Sequence, residues 1–178
     1  AGIASSAAQT LVNGIQYQNT NVNDPTAGGR VFTLTQVVDT GASNNATALN
    51  LTSTIGVTPV NDVPTLTATA TNNTFTEGAG TAQGAAVLVF SGATVSAVES
   101  AQLIKSLTFT VSGLLDGSSE MVTVDGSTFA LAAGTGTTTT NSMSYSVSFA
   151  SGTATVTLTK TAGIASSAAQ TLVNGIQY

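Results

Sequence analysis

The chain has no cysteine, no histidine and no tryptophan in its 178 residues. Without cysteine there is no disulfide staple and no thiolate site. Without histidine there is no imidazole general base, no Ser-His-Asp triad and no ordinary zinc or copper site. Positive charge is nearly absent too. Arg30, Lys105 and Lys160 are the only basic residues, against eight acidic ones, for a net charge of −5. Polyanion binding needs Lys and Arg to neutralise phosphates, so nucleic acid and anionic membrane surfaces are excluded as partners. No stretch approaches the ~18–20 apolar residues of a membrane span. Paired carboxylates exist, but nothing in the spacing places two in one cleft, and aromatics for a sugar site are few. The expectation is a protein that is not an enzyme.

What is present is a repeat. Ala1–Tyr17 reads AGIASSAAQTLVNGIQY, and Ala162–Tyr178 reads the same, at an offset of 161 residues. The bland alternative, an artificially duplicated end, is the weaker reading. A period of ~161 residues means a domain per repeat, not a solenoid rung of roughly 20–50 residues. The chain thus reads as one period plus a short overlap, taken from a tandem array. No signal segment is visible, as expected of a mid-chain piece.

Threonine and alanine dominate, charge is sparse, and β-branched residues abound. That composition supports a packed β core rather than disorder. Alternation with period two recurs. Met143, Tyr145, Val147 and Phe149 share one face of a strand, as do Ala154, Val156 and Leu158. The Ser151-Gly152 step between them predicts a hairpin, and Asp125-Gly126 predicts another between 121–124 and 127–131. Further strands are expected at 31–38, 49–60, 65–71 and 107–111. One segment has helical spacing instead: Ala169, Leu172, Val173 and Ile176. Ser166 or Ser167 is expected to cap this helix and Gly175 to end it, with the same element at 5–17. Many short strands with one small helix predict an all-β, antiparallel sandwich. Pro59 and Pro64 bracket a stiff junction at about 58–65. Residues 1–62 then form the C-terminal part of one repeat, and 63–178 the N-terminal part of the next.

The run Thr58-Pro59-Val60-Asn61-Asp62-Val63-Pro64-Thr65 resembles the TPVNDAPT junction of bacterial cadherin-like, Ig-like repeats in giant secreted adhesins of the RTX type. Thr76-Glu77-Gly78 is similar to that family's first strand. Val31–Gly41 looks like its penultimate strand, and Ala168–Tyr178 like its short helix and following strand. The resemblance implies a β-sandwich in a tandem array, export to the bacterial cell surface, neighbouring copies head to tail as partners, and often Ca²⁺ at the junctions. Carried over by position, the ligands would be Asn61, Asp62, Glu77, Glu99 and Asp39. Ala97 stands where the family usually has an acid, so one ligand is lost. The expected function is a structural extender of an extracellular adhesin or fibre, with lateral self-association open to so uncharged a surface. The alternative is an adhesive module that binds glycan, ice or another cell through threonine-rich strand faces. A Lys–Asn cross-link would need Lys105 or Lys160 buried beside an asparagine and an acid.

Overall fold

Period-two alternation and tight turns produce most of the architecture. A computed structural model, describing residues 2–178, shows mainly antiparallel strands, with two short α-helices among the described residues. The chain divides into two compact units, Ala1–Asn61 and Asp62–Tyr178. The division falls inside the segment bracketed by Pro59 and Pro64, where proline removes ladder donors and extends the preceding residue.

The first unit holds α1 (Ser5–Asn13), β1 (Gly28–Val38) and β2 (Ala46–Val57). The strands form a hairpin with Phe32 opposite Ser53 and Leu34 opposite Leu51. Alternation puts Phe32, Leu34, Leu51 and Ile55 on one face. The connecting loop is closed by the Asp39 amide donating to the Asn45 carbonyl at 2.7 Å. None of the residues of α1 is buried.

The second unit contains the core. Strand β3 (Thr65–Ala70) pairs with β4 (Phe90–Ser96). Strands β5 (Ile104–Ser112), β8 (Gly134–Thr137), β9 (Ser144–Ala150) and β10 (Thr153–Ile164) form a four-stranded sheet in the order β5-β10-β9-β8. Strands β6 (Met121–Val124) and β7 (Ser127–Ala130) form a separate hairpin. The turns at Asp125-Gly126 and Ser151-Gly152 both place two successive residues at positive φ, the geometry a two-residue hairpin demands. Ala154, Val156 and Leu158 point inward from β10 and are buried with Val124, Leu131 and Met143. Helix α2 (Ser166–Asn174) adds Ala169, Leu172 and Val173 to this cluster.

Local details depart from expectation in two places. Neither Ser166 nor Ser167 caps α2: Ala165 is the N-cap residue, and the Ser166 hydroxyl instead accepts from the Ala97 amide at 3.2 Å. Gly175 ends the helix as expected, at ordinary negative φ, its amide donating to the Thr171 and Leu172 carbonyls. Strand β3 is exposed along its whole length, so Leu66, Ala68 and Ala70 form no buried face.

Candidate junction site and the repeated helix

The predicted calcium residues occupy different surroundings. Asp62 and Glu99 meet: the Asp62 amide donates to Glu99 Oε1. Glu99 Oε2 is buried with no hydrogen-bond partner. Asn61 immediately precedes Asp62 and is exposed. Glu77 is exposed in the 71–86 connection. Asp39 lies in the β1–β2 loop of the first unit, where its Oδ1 accepts from the Gly41 amide at 2.8 Å. This is the local turn bond expected of an Asp in a loop. Among the described residues no three acidic side chains gather so as to hold a metal ion. Calcium takes six to eight oxygens, and Asp62 with Glu99 would supply only part of that shell.

Other acids serve the fold. Asp125, read from the sequence as a turn residue, is buried. Its carboxylate accepts from Thr138 Oγ1, from the Asn141 amide at 3.0 Å and from Asn141 Nδ2. It thereby ties the 138–143 loop to the β6–β7 turn. Lys160 Nζ donates to the backbone carbonyl of Asn141 at 2.5 Å, while that residue's side-chain amide is turned to Asp125. Lys105 is exposed. Glu120 is buried, and its Oε1 accepts from the Leu115 amide and the Tyr178 hydroxyl, at 3.3 and 3.4 Å. Burial pushes the Tyr178 phenol above its ordinary pKa, with the Glu120 carboxylate and then Asp116 acting in the same direction. Sequence reasoning passed over Glu120; no spacing marks it, because its role depends on a tyrosine distant in sequence.

The threonine ranks are partly consumed by cross-strand pairing. Hydroxyls meet between Thr67 and Thr94 at 2.6 Å, Thr123 and Thr128 at 2.7 Å, and Thr108 and Thr157 at 3.3 Å. Such pairs stabilise a sheet from its exposed side.

The repeated segment shows the sharpest contrast. In α1 and the turn after it, Leu11, Val12 and Ile15 are 64, 43 and 52% exposed. At the matching positions Leu172, Val173 and Ile176 are 3, 4 and 3% exposed. Local sequence is identical, so tertiary surroundings alone make the difference. After α2, Gln177 makes isolated antiparallel bridges to Leu88 on one side and to Thr123 on the other. Val87 and Tyr178 exchange both backbone bonds, Thr123 and Gln177 do the same, and the Val89 amide donates to Ile176. Ile15–Tyr17 belongs to no strand. Tyr178 sets its ring edge-on to Phe75 at 5.9 Å, whereas Tyr17 sets its ring edge-on to Phe32 at 6.0 Å.

Comparison with known protein families, curated proteins and solved structures finds no match for this chain. No helix among the described residues is long and apolar enough to cross a membrane.

Proposed function

We propose that the chain is a structural extender repeat of a long extracellular bacterial adhesin or fibre, an Ig/cadherin-like β-sandwich recurring about every 161 residues. The observation that carries this reading is the identity of Ala1–Tyr17 with Ala162–Tyr178. The same residues are core in one place and uncovered in the other. That is the pattern of a domain whose parts are divided between successive repeats. On this reading 1–62 closes one repeat and 63–178 opens the next. Mechanical extension asks for stable stacked domains and stiff links, and the proline-bracketed junction supplies the stiffness. The acids Asp39, Glu99, Glu120 and Asp125 each hold a loop or a neighbouring amide, which favours a structural role over catalysis.

Calcium belongs to the proposal at one place. The buried, unpartnered oxygen of Glu99 beside Asp62 is a group that a cation would satisfy. Backbone carbonyls and water would complete the shell. A two-period chain then melts higher in Ca²⁺ than in chelator. An equal melting temperature removes the metal and leaves the packed linker. The extender reading itself is tested by particle length in electron micrographs of chains with one, two and four periods. Length proportional to period number supports it; a globule of growing diameter refutes it.

The second reading, adhesion through threonine faces, is favoured by one observation: Thr153, Thr155, Thr157 and Thr159 alternate with buried residues along β10. Saturable binding of a glycan or ice by one period would support it.

A further inference from the structure

Lys160 does not stand where a surface charge belongs. Ala154, Val156 and Leu158 point inward along β10, and Lys160 continues their face, half-buried where Thr159 and Thr161 on either side are exposed. Lysine is almost never taken from water without a partner. The partner here is Asn141, in the loop between β8 and β9. Lys160 Nζ donates to the Asn141 backbone carbonyl at 2.5 Å. Asn141 is gripped from its other side by Asp125. That carboxylate accepts from the Asn141 backbone amide at 3.0 Å and from Nδ2 at 2.5 Å. Lys105, the other lysine, is exposed.

An amine, a carboxamide and a carboxylate thus converge from three segments: the end of β10, the 138–143 loop and the β6–β7 turn. We propose that Lys160 and Asn141 become joined by an isopeptide bond between their side chains. The lysine nitrogen attacks Cγ of Asn141, and the Cγ–Nδ2 bond breaks. One C–N bond forms as one is lost, so no oxidant, reductant or cofactor is required. Two protons leave the lysine ammonium and depart with Nδ2, which is released as an ammonium ion. Asp125, already bonded to Nδ2, carries them, as base toward the lysine and then as acid toward the leaving nitrogen. Nζ has only to move from the backbone oxygen of Asn141 to the side-chain carbon of the same residue. Rotation of the flexible four-carbon lysine stem makes that move, and the attack begins from about 3–3.5 Å.

The frame around these groups is fixed. Asp125 sits at φ 52 in its hairpin turn and is 6% exposed, so the backbone aims its carboxylate. The Thr138 hydroxyl donates to Asp125 and accepts from the Met143 amide, which holds the loop on both sides of Asn141. Thr138 is 2% exposed, and Met143 and Leu158 are fully buried. Positioning of this kind turns an encounter between amine and amide into a reaction within one structure. The product is a covalent ring, residues 141–160, closed through the β9–β10 hairpin. A pull on β10 from the side of α2 then meets a covalent bond before the β9–β10 ladder can open. The ring also restricts the unfolded chain, as a disulfide does, in a sequence without cysteine.

The bond does not depend on the extender reading, so its failure leaves the length-scaling test standing. Intact-mass spectrometry of the folded 178-residue chain, followed by tryptic mapping after denaturation, tests it. The chain should be lighter than its sequence by one ammonia. Trypsin cuts after Arg30 and Lys105 but not after an acylated lysine, so residues 106–178 should stay together as one peptide. Lys160→Arg keeps a positive donor for the Asn141 carbonyl, and should restore both the full mass and the cut after residue 160. Asp125→Asn removes the proton carrier and should leave Lys160 and Asn141 unjoined. A wild-type chain of full mass that is cut after Lys160 overturns the proposal. So does a loss of ammonia with that cut retained, which marks cyclisation of Asn141 on its own backbone. A loss of ammonia that persists in Lys160→Arg overturns it as well.

Discussion

Leu11 and Leu172 are a matched pair, and truncating each in turn isolates what packing contributes. Both stand at the same helical position in the same seventeen-residue sequence. Helix propensity, side-chain entropy in the helix and neighbour effects within it therefore cancel between the two variants. Leu172 is fully enclosed by the core of the second unit and Leu11 is not. Leu172→Ala forfeits a transfer term of about 1.5–3 kcal/mol. The cavity left behind raises the total to about 2.7–5 kcal/mol. The cleft of about 150 Å³ beside Leu172 lets the surroundings relax, which favours the lower part of that range. Leu11→Ala, at an exposed site, stays within about 0.5 kcal/mol. Urea unfolding followed by near-ultraviolet dichroism in a Tyr17→Phe background, where Tyr145 and Tyr178 are the remaining tyrosines, reads the second unit. For a slope of about 1–3 kcal/mol/M, Leu172→Ala moves the midpoint down by about 1–3 M. Leu11→Ala leaves it in place, at a concentration low enough to keep chains separate. Equal shifts in the two variants would refute the reasoning, since identical residues would then be in equivalent surroundings.

Three further outcomes follow from the packing. Asp125→Ala strips three donors of their acceptor, two from Asn141 and one from the buried Thr138 hydroxyl, and costs about 2–4 kcal/mol by calorimetry. Asp125→Asn, which keeps an acceptor, costs less. Gly136→Ala places a methyl 2.6 Å from the Tyr145 ring. It displaces that ring from its stack on Phe129, at 3.9 Å between centroids, and the tyrosine dichroism falls. Tyr178 has a raised pKa in the fold, so its contribution to stability is intact below pH 10.0 and is lost as pH rises through the raised value. Tyr178→Phe makes stability less sensitive to pH in that alkaline window, which denaturation at a series of pH values checks.

The strands that alternate strictly were legible in the sequence because burial on one face is what produces the alternation. Strand β10 and the turns at Asp125-Gly126 and Ser151-Gly152 are of this kind. Strand β8, Gly134–Thr137, was not. Its Gly-Thr-Gly-Thr run has no apolar residue to alternate, and it is a strand because Gly136 lets the Tyr145 ring lie close. The helix spacing at 166–176 was readable, but not its start, because Ser166 is drawn away to the Ala97 amide. The contact of Asp62 with Glu99 joins two of the residues singled out from the family resemblance. Asp39 instead closes its own loop, which sequence spacing alone does not distinguish from ligation. The repeat itself was the plainest sequence signal. Its two environments were invisible there, since identical letters carry no record of what surrounds them.

The central claim is that the repeated segment is one element of one domain, seated against the module that precedes it. Amide hydrogen exchange tests this most directly in a chain lengthened so that a copy of residues 65–161 precedes Ala1. The account predicts that the amides of Leu11, Val12 and Ile15 become as protected as those of Leu172, Val173 and Ile176. Continued fast exchange at Leu11–Ile15, with 172–176 protected as before, would contradict it.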